Sequence, residues 1–105
     1  LINEEVMKAL GPTGTVVNVA RGSVVDEQAL IRCLKDGSIG GAAIDVYKEE
    51  PKTPEELWAF ENVVLTPHVG SGTHTTRTQM GDLVVDNLVL HFAGRRVKTP
   101  IPECA

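Results

Sequence analysis

The run Val63-Val64-Leu65-Thr66-Pro67-His68-Val69-Gly70-Ser71 reads as a short buried strand that halts at a proline and then presents an imidazole. Two upstream segments share its form. Asn18-Val19-Ala20-Arg21-Gly22 is an apolar strand end, then a guanidinium, then a glycine. Ala43-Ile44-Asp45-Val46 runs on into Glu49-Glu50-Pro51. An arginine, a glutamate and a histidine thus each follow an apolar strand. In α/β proteins parallel strands deliver their C-terminal ends to one edge of the sheet, the edge where ligands are met.

The intervening sequence supplies the helices that a parallel sheet needs. Asn3 is placed to cap a helix over Glu4 to Leu10, with Glu4 and Glu5 in its first turn and Gly11-Pro12 as its stop. Thr15 to Val19 reads as a buried β-branched strand. Asp26 caps a second helix in which Ala29, Leu30, Cys33 and Leu34 recur at helical spacing, and Gly37 ends it. Ile39 to Val46 is the next strand, and Gly40, Gly41, Ala42 and Ala43 make its start slim enough for a helix to pack closely. Thr53-Pro54-Glu55-Glu56 has the form of a capping box with proline at the first helical position, opening a short helix to Phe60. A strand over Asn62 to Thr66 follows. From about Thr73 a long amphipathic helix is expected, with Met80, Leu83, Val84, Leu88 and Phe92 on one face, closed by Gly94 and followed by an extended tail with Pro100 and Pro102.

This alternation predicts an α/β fold with a parallel sheet and right-handed crossovers. A sheet of so few strands leaves both edges bare and needs cover on both faces. The chain therefore reads as the C-terminal portion of a doubly wound parallel sheet plus a long C-terminal helix, divided into 1–72 and 73–105. A start at Leu1 and not at Met fits a piece of something longer.

Composition narrows the function. With 105 residues there is room for one domain at most. Aromatics at 4% leave the core to Val, Leu, Ile and Ala. A net charge of −4 argues against nucleic-acid and anionic-membrane partners. Arg95, Arg96 and Lys98 sit just past a helical pattern, where cations complement the helix dipole. Cys33 lies on an apolar helix face and Cys104 in the tail, with no CxxC pair, which reads as buried or inert thiols in a reducing compartment. No apolar run approaches the ~18 residues of a membrane span, and no signal peptide is visible. No metal site is expected, since the histidines lack helical i, i+4 spacing and the cysteines do not cluster. Ser23 and Ser71 are not in a nucleophile-elbow pattern, and a phosphate-binding glycine loop is absent.

Each candidate residue has a functional and a structural reading. Arg21 offers a fork of donors suited to a carboxylate, or it pairs with a local acid such as Asp26. His68 is either a proton exchanger at a strand end or a hydrogen-bonded structural residue. His74 and His91, in the first and last turns of the last helix, read as surface residues. A carboxylate beside His68 would favour the imidazolium, and Glu49 and Glu50 are both placed to provide it. Asp45, inside an apolar strand, needs a partner: a backbone amide, a cation or a ligand amide.

Taken together, these motifs resemble the D-isomer-specific 2-hydroxyacid dehydrogenase family. The matching text is Asn18 to Gly22, Asp26-Glu27 with Ala29-Leu30, Gly41 to Val46, Glu49-Glu50-Pro51 and Asn62 to Ser71, in the family's order and spacing, and it extends from Leu1 to Phe92. The resemblance implies a Rossmann-like fold, with 1–72 as part of an NAD(P)-binding domain and 73–105 as a helix and tail that return to a substrate domain. It implies reduction of a small 2-keto acid to the D-2-hydroxy acid. Arg21 would hold the substrate carboxylate and polarise the keto group, and His68 would be the acid/base. Glu50, directly before the proline, would orient His68, which selects Glu50 over Glu49. Asp45 would contact the nicotinamide carboxamide. Val19, Ala20, Arg21 and the turn His68, Val69, Gly70 and Ser71 would line the nicotinamide end of the cofactor site. The wording Gly70-Ser71-Gly72-Thr73 and the tail are most similar to plant glyoxylate/hydroxypyruvate and hydroxyphenylpyruvate reductases, which favours NADPH over NADH. The family further implies a cytoplasmic homodimer at full length, with a small keto or hydroxy acid as partner. The pyrophosphate-gripping glycine turn, the residue that chooses NAD or NADP, and the substrate domain are not in these 105 residues, so this piece alone is expected to be inactive. The alternatives are a catalytically inactive fragment and a non-enzymatic cofactor-binding or regulatory protein of the same fold.

Overall fold

The computed structural model describes residues 1–104. It divides into two compact units, one over Leu1–Gly70 and a second beginning at Ser71. In the first, α1 (Glu4–Leu10), β1 (Thr15–Asn18), α2 (Glu27–Lys35), β2 (Gly41–Ile44) and β3 (Val63–Leu65) follow one another. The strands form a three-stranded parallel sheet in the order β1-β2-β3. The helix starts are those the capping residues dictate. Asn3 accepts the Val6 amide at 3.0 Å, and Asp26 accepts the Ala29 amide at 3.0 Å.

The register explains which face is the core. Val16, Ala42 and Val63 stand abreast, as do Asn18, Ile44 and Leu65. These rows pack with Met7 of α1 and Ala29, Leu30, Ile31, Cys33 and Leu34 of α2. The alternate row, Val17, Ala43 and Val64, points the other way. There Val17 is 65% exposed and Val64 62%, so β1 and β3 are buried on one face only, where a strand buried on both was expected. The strands are also shorter than the apolar runs that contain them, because the ladder ends where the chain turns toward its functional loops.

Two local expectations are corrected. The slim start of β2 accommodates loops and not a helix. A Cβ on Gly40 would lie 2.8 Å from the Pro12 carbonyl oxygen, and one on Gly41 would lie 2.7 Å from that of Asn62. The capping box at Thr53 does not form either. Glu55–Ala59 is a 3-10 turn with Pro54 as its cap residue, and the Thr53 hydroxyl instead accepts the Trp58 indole N–H at 2.9 Å. A 3-10 turn leaves too little length for a box that spans the first α-turn.

In the second unit, α3 (His74–Phe92) starts at Thr73, whose hydroxyl accepts the Thr76 amide at 3.1 Å. Its apolar residues are not confined to one face: Val85 and Val89 are 58% and 63% exposed, alongside Leu88 at 51% and Phe92 at 83%. The expected amphipathic stripe is thus a broad apolar surface covering most of the helix circumference, the pattern of a helix made for burial. The tail is not simply extended. Asn87 accepts the Lys98 amide at 2.8 Å and donates to the Thr99 hydroxyl at 2.8 Å, and Lys98 Nζ pairs with Asp86 at 2.6 Å. Lys98, expected to complement the helix dipole, pairs instead with a carboxylate within α3. Pro102–Cys104 forms a 3-10 turn.

Leu30 is 1% exposed at the centre of the helix-sheet core. Leu30→Ala in the intact protein should cost about 2–5 kcal/mol, read as a lowered urea midpoint at unchanged slope.

Candidate functional site

The site is built where the strands stop. Among the described residues, the buried polar side chains are Asn18 at 4% exposure and Asp45 at 5%. Each sits at a strand end, and the Asp45 amide donates to the Asn18 carbonyl at 3.0 Å, extending the ladder by one rung.

Asp45 shapes the loop that presents His68. Its Oδ1 accepts the Thr66 hydroxyl at 2.5 Å and the Val69 amide at 2.8 Å, and its Oδ2 accepts the Gly70 amide at 2.9 Å. The partner that burial demanded is therefore the histidine loop itself. The Thr66 hydroxyl, then the Val69 amide, hold the Asp45 carboxyl below its ordinary range, against the opposing effect of burial. Between these anchors His68 adopts a left-handed φ of 55°. Few residues other than glycine accept that conformation, though histidine does so more readily than most, and it persists where surrounding bonds over-determine it.

The imidazole is oriented from the other side. His68 Nδ1 lies 2.7 Å from Glu50 Oε2, and Glu50 Oε1 accepts the Tyr47 amide at 3.1 Å. Glu50 thus has the position beside His68 that residue patterns left open between two glutamates and the family resemblance gave to Glu50. Glu49 uses its carbonyl in a turn with Lys52 at 2.9 Å. The His68 hydrogen bond, then the Tyr47 amide, lower the Glu50 carboxyl from its ordinary value, and the field of Arg21 acts in the same direction. A carboxylate accepts only, so Nδ1 carries the proton and Nε2 is left for another partner.

Arg21 does not pair with Asp26, whose side chain caps α2. Its Nη1 donates to its neighbour's carbonyl, Ala20 O, at 2.6 Å, and the side chain is exposed. The backbone beneath it is held by Asn18, which accepts the Ala20 amide at 3.1 Å and donates to the Arg21 carbonyl at 3.0 Å. Gly22 follows because a Cβ there would collide with the Tyr47–Lys48 peptide. The arginine loop and the glutamate loop therefore touch backbone to backbone.

Val19, Ala20, Val69 and Gly70 lie exposed beside these groups in the same unit, and Ser71 opens the second unit. Sequence reasoning overlooked Asn18, Thr66 and Tyr47. Tyr47 is 7% exposed, and its hydroxyl lies 3.1 Å from Ile44 O and 2.9 Å from Thr66 O, joining the ends of β2 and β3. A polar residue closing an apolar strand was the available signal for Asn18. Nothing comparable marks Tyr47, whose importance lies in contacts distant along the chain. Among the described residues no group of His, Cys, Asp and Glu is arranged to hold a metal ion, and no helix is long and apolar enough to cross a membrane.

The part of the chain that carries these strand ends also matches a known family. Residues 1–70 match the model described as D-isomer specific 2-hydroxyacid dehydrogenase, NAD binding domain. The chain belongs to this family. It is 54% identical over 101 residues to glyoxylate/hydroxypyruvate reductase A of Arabidopsis thaliana, covering 96% of this chain and 32% of the relative. It is 54% identical to the hydroxyphenylpyruvate reductase of Plectranthus scutellarioides, over the same shares of each. The NADPH-dependent glyoxylate/hydroxypyruvate reductase of Sinorhizobium meliloti, solved with NADP and malonate, superposes with a TM-score of 0.91 at 50% identity, covering 97% of this chain and 32% of that one. The chain thus spans about a third of the length of the relatives it matches. Its sheet is the Rossmann-like sheet of the family.

The lowered Asp45 carboxyl has a pH consequence. A group whose folded pKa lies below its unfolded value of ~3.9 contributes stability above that value and loses it as pH falls through the folded one. The protection of the Val69 and Gly70 amides, relative to their intrinsic exchange rates at each pH, should therefore stay high at neutral pH and fall only in acid below that range. In Asp45→Asn, whose amide turns a donor toward a backbone N–H, protection should already be lost at neutral pH.

Proposed function

We propose that this chain is the catalytic-edge portion of a longer NAD(P)H-dependent reductase that converts a small 2-keto acid, of the glyoxylate or hydroxypyruvate type, into the D-2-hydroxy acid. The observation that carries the reading is the Glu50–His68 bond of 2.7 Å, with Arg21 close enough for its charge to act on Glu50. A cation for the substrate carboxylate and an oriented imidazole for the ketone are what the chain must provide, and hydride is the chemistry a bound nicotinamide supplies.

The roles follow from donor chemistry. Arg21, exposed and without a carboxylate partner among the described residues, would bind the substrate carboxylate through its guanidinium fork. His68 would give its Nε2 proton to the carbonyl oxygen as that oxygen gains negative charge. Glu50 would hold the ring through Nδ1. The residues also fit a nicotinamide. Val19 at 67% and Val69 at 47% exposure offer apolar surface to a flat ring, and Asp45 Oδ2, with one N–H accepted, retains a lone pair for a carboxamide. Similarity to the NADPH-dependent relative supports NADPH as the preferred cofactor.

In the complete enzyme His68→Asn should lower turnover by roughly 10²–10⁴-fold with little change in cofactor affinity, followed by NADPH oxidation with hydroxypyruvate or glyoxylate. Near-normal turnover in that variant would remove His68 from the chemistry. Arg21→Ala should instead act mainly on kcat/KM for the keto acid, by several kcal/mol, on the order of 2–5.

A further inference from the structure

We propose that Asn18 is a positioning residue for Arg21, setting where the guanidinium meets the substrate carboxylate. The inference rests on the reading of Arg21 as the carboxylate-binding group.

Asn18 spends both ends of its side-chain amide on the loop that carries the arginine. Oδ1 accepts the Ala20 amide at 3.1 Å, and Nδ2 donates to the Arg21 carbonyl at 3.0 Å. The two bonds close a ring over residues 18–21 and fix the Val19–Ala20 and Arg21–Gly22 peptides. An exposed arginine has many rotamers, so its reach is defined only as well as the backbone at its root. Glu50 and His68 bond each other, but among the described residues no comparable side-chain clamp holds the Arg21 guanidinium. Among the described residues its Nη1 bonds the adjacent Ala20 carbonyl, in the peptide that lies between the two that Asn18 holds.

The root is also referenced to the other half of the site. Asn18 stands opposite Ile44 in the register, and its carbonyl accepts the amide of Asp45. Asp45 in turn holds the His68 loop. Adjacent rungs of one ladder thus carry the residue that sets the arginine and the residue that sets the histidine. Burial at 4% exposure keeps water from competing for the Asn18 bonds. Among the described residues the side chain hydrogen-bonds neither the imidazole nor Glu50, so its effect should appear in substrate binding and not in the proton donor.

The test uses the full-length enzyme at saturating cofactor, well below the melting temperature of every variant. Asn18→Ala, Arg21→Ala and the double variant are compared for KM, kcat and the pH dependence of turnover. Asn18→Ser, whose hydroxyl can still accept the Ala20 amide, serves if the alanine variant does not fold. The expected result is a rise of roughly tenfold or more in KM for the keto acid with Asn18→Ala, a smaller rise with Asn18→Ser, and an unchanged pH profile of turnover. In the Arg21→Ala background the Asn18 substitution should add almost nothing, because residues that act through one another are not additive. Additive losses, or an unchanged KM in the Asn18 variants beside a raised KM in Arg21→Ala, would overturn the inference and leave the reading of Arg21 intact. An unchanged KM in Arg21→Ala would overturn that reading itself, and this inference with it.

Discussion

Asp45 is a carboxylate at the end of an apolar strand, and its three hydrogen bonds to Thr66, Val69 and Gly70 hold the loop from which His68 projects. A buried anion without partners would be costly. Here the cost is offset by donors that lie 21 to 25 residues away along the chain, so satisfying the charge and closing the loop are the same event. The left-handed backbone at His68 is tolerable only while that carboxylate holds the flanking amides. Orientation of the ring by Glu50 follows, since Glu50 can reach Nδ1 only when the loop is in place.

The parallel register converts this local arrangement into a site. Asn18, Ile44 and Leu65 stand in one row, so the segments after them leave the sheet at one edge. Arg21, Glu50 and His68 come from separate loops, yet each is within a few residues of that edge. Tyr47 and Gly22 hold the loops to one another: the tyrosine hydroxyl bridges two strand ends, and the glycine lets the arginine loop lie against the Tyr47–Lys48 peptide. The scaffold is rigid where the chemistry would require it. The opposite sheet face and the circumference of α3 carry exposed valines, leucines and a phenylalanine, the mark of surfaces shaped for further packing.

Much of this could be read directly from residue patterns. The caps at Asn3, Asp26 and Thr73 and the α/β alternation are local signals, and local signals are visible in a linear sequence. Strand ends were placed less well, because Val19 and Val46 continue apolar runs after the ladder has stopped. The helix expected at Thr53 became a 3-10 turn, since a threonine hydroxyl that can cap can equally accept an indole N–H from Trp58. The one-faced stripe expected of α3 failed because Val85 and Val89, omitted from the heptad-like count, widen the apolar surface.

By itself the sequence determined the order of elements, the strand-end placement of Arg21, Glu50 and His68, and, through their combined spacing, the family. Those are properties of periodicity, of capping chemistry and of motif order. Only the tertiary structure decided that Asp45 is satisfied by the histidine loop and that Asn18 and Tyr47 tie the strand ends and loops together. Each of those facts is a hydrogen bond or a strand pairing whose geometry exists only after the sheet has brought distant residues into register.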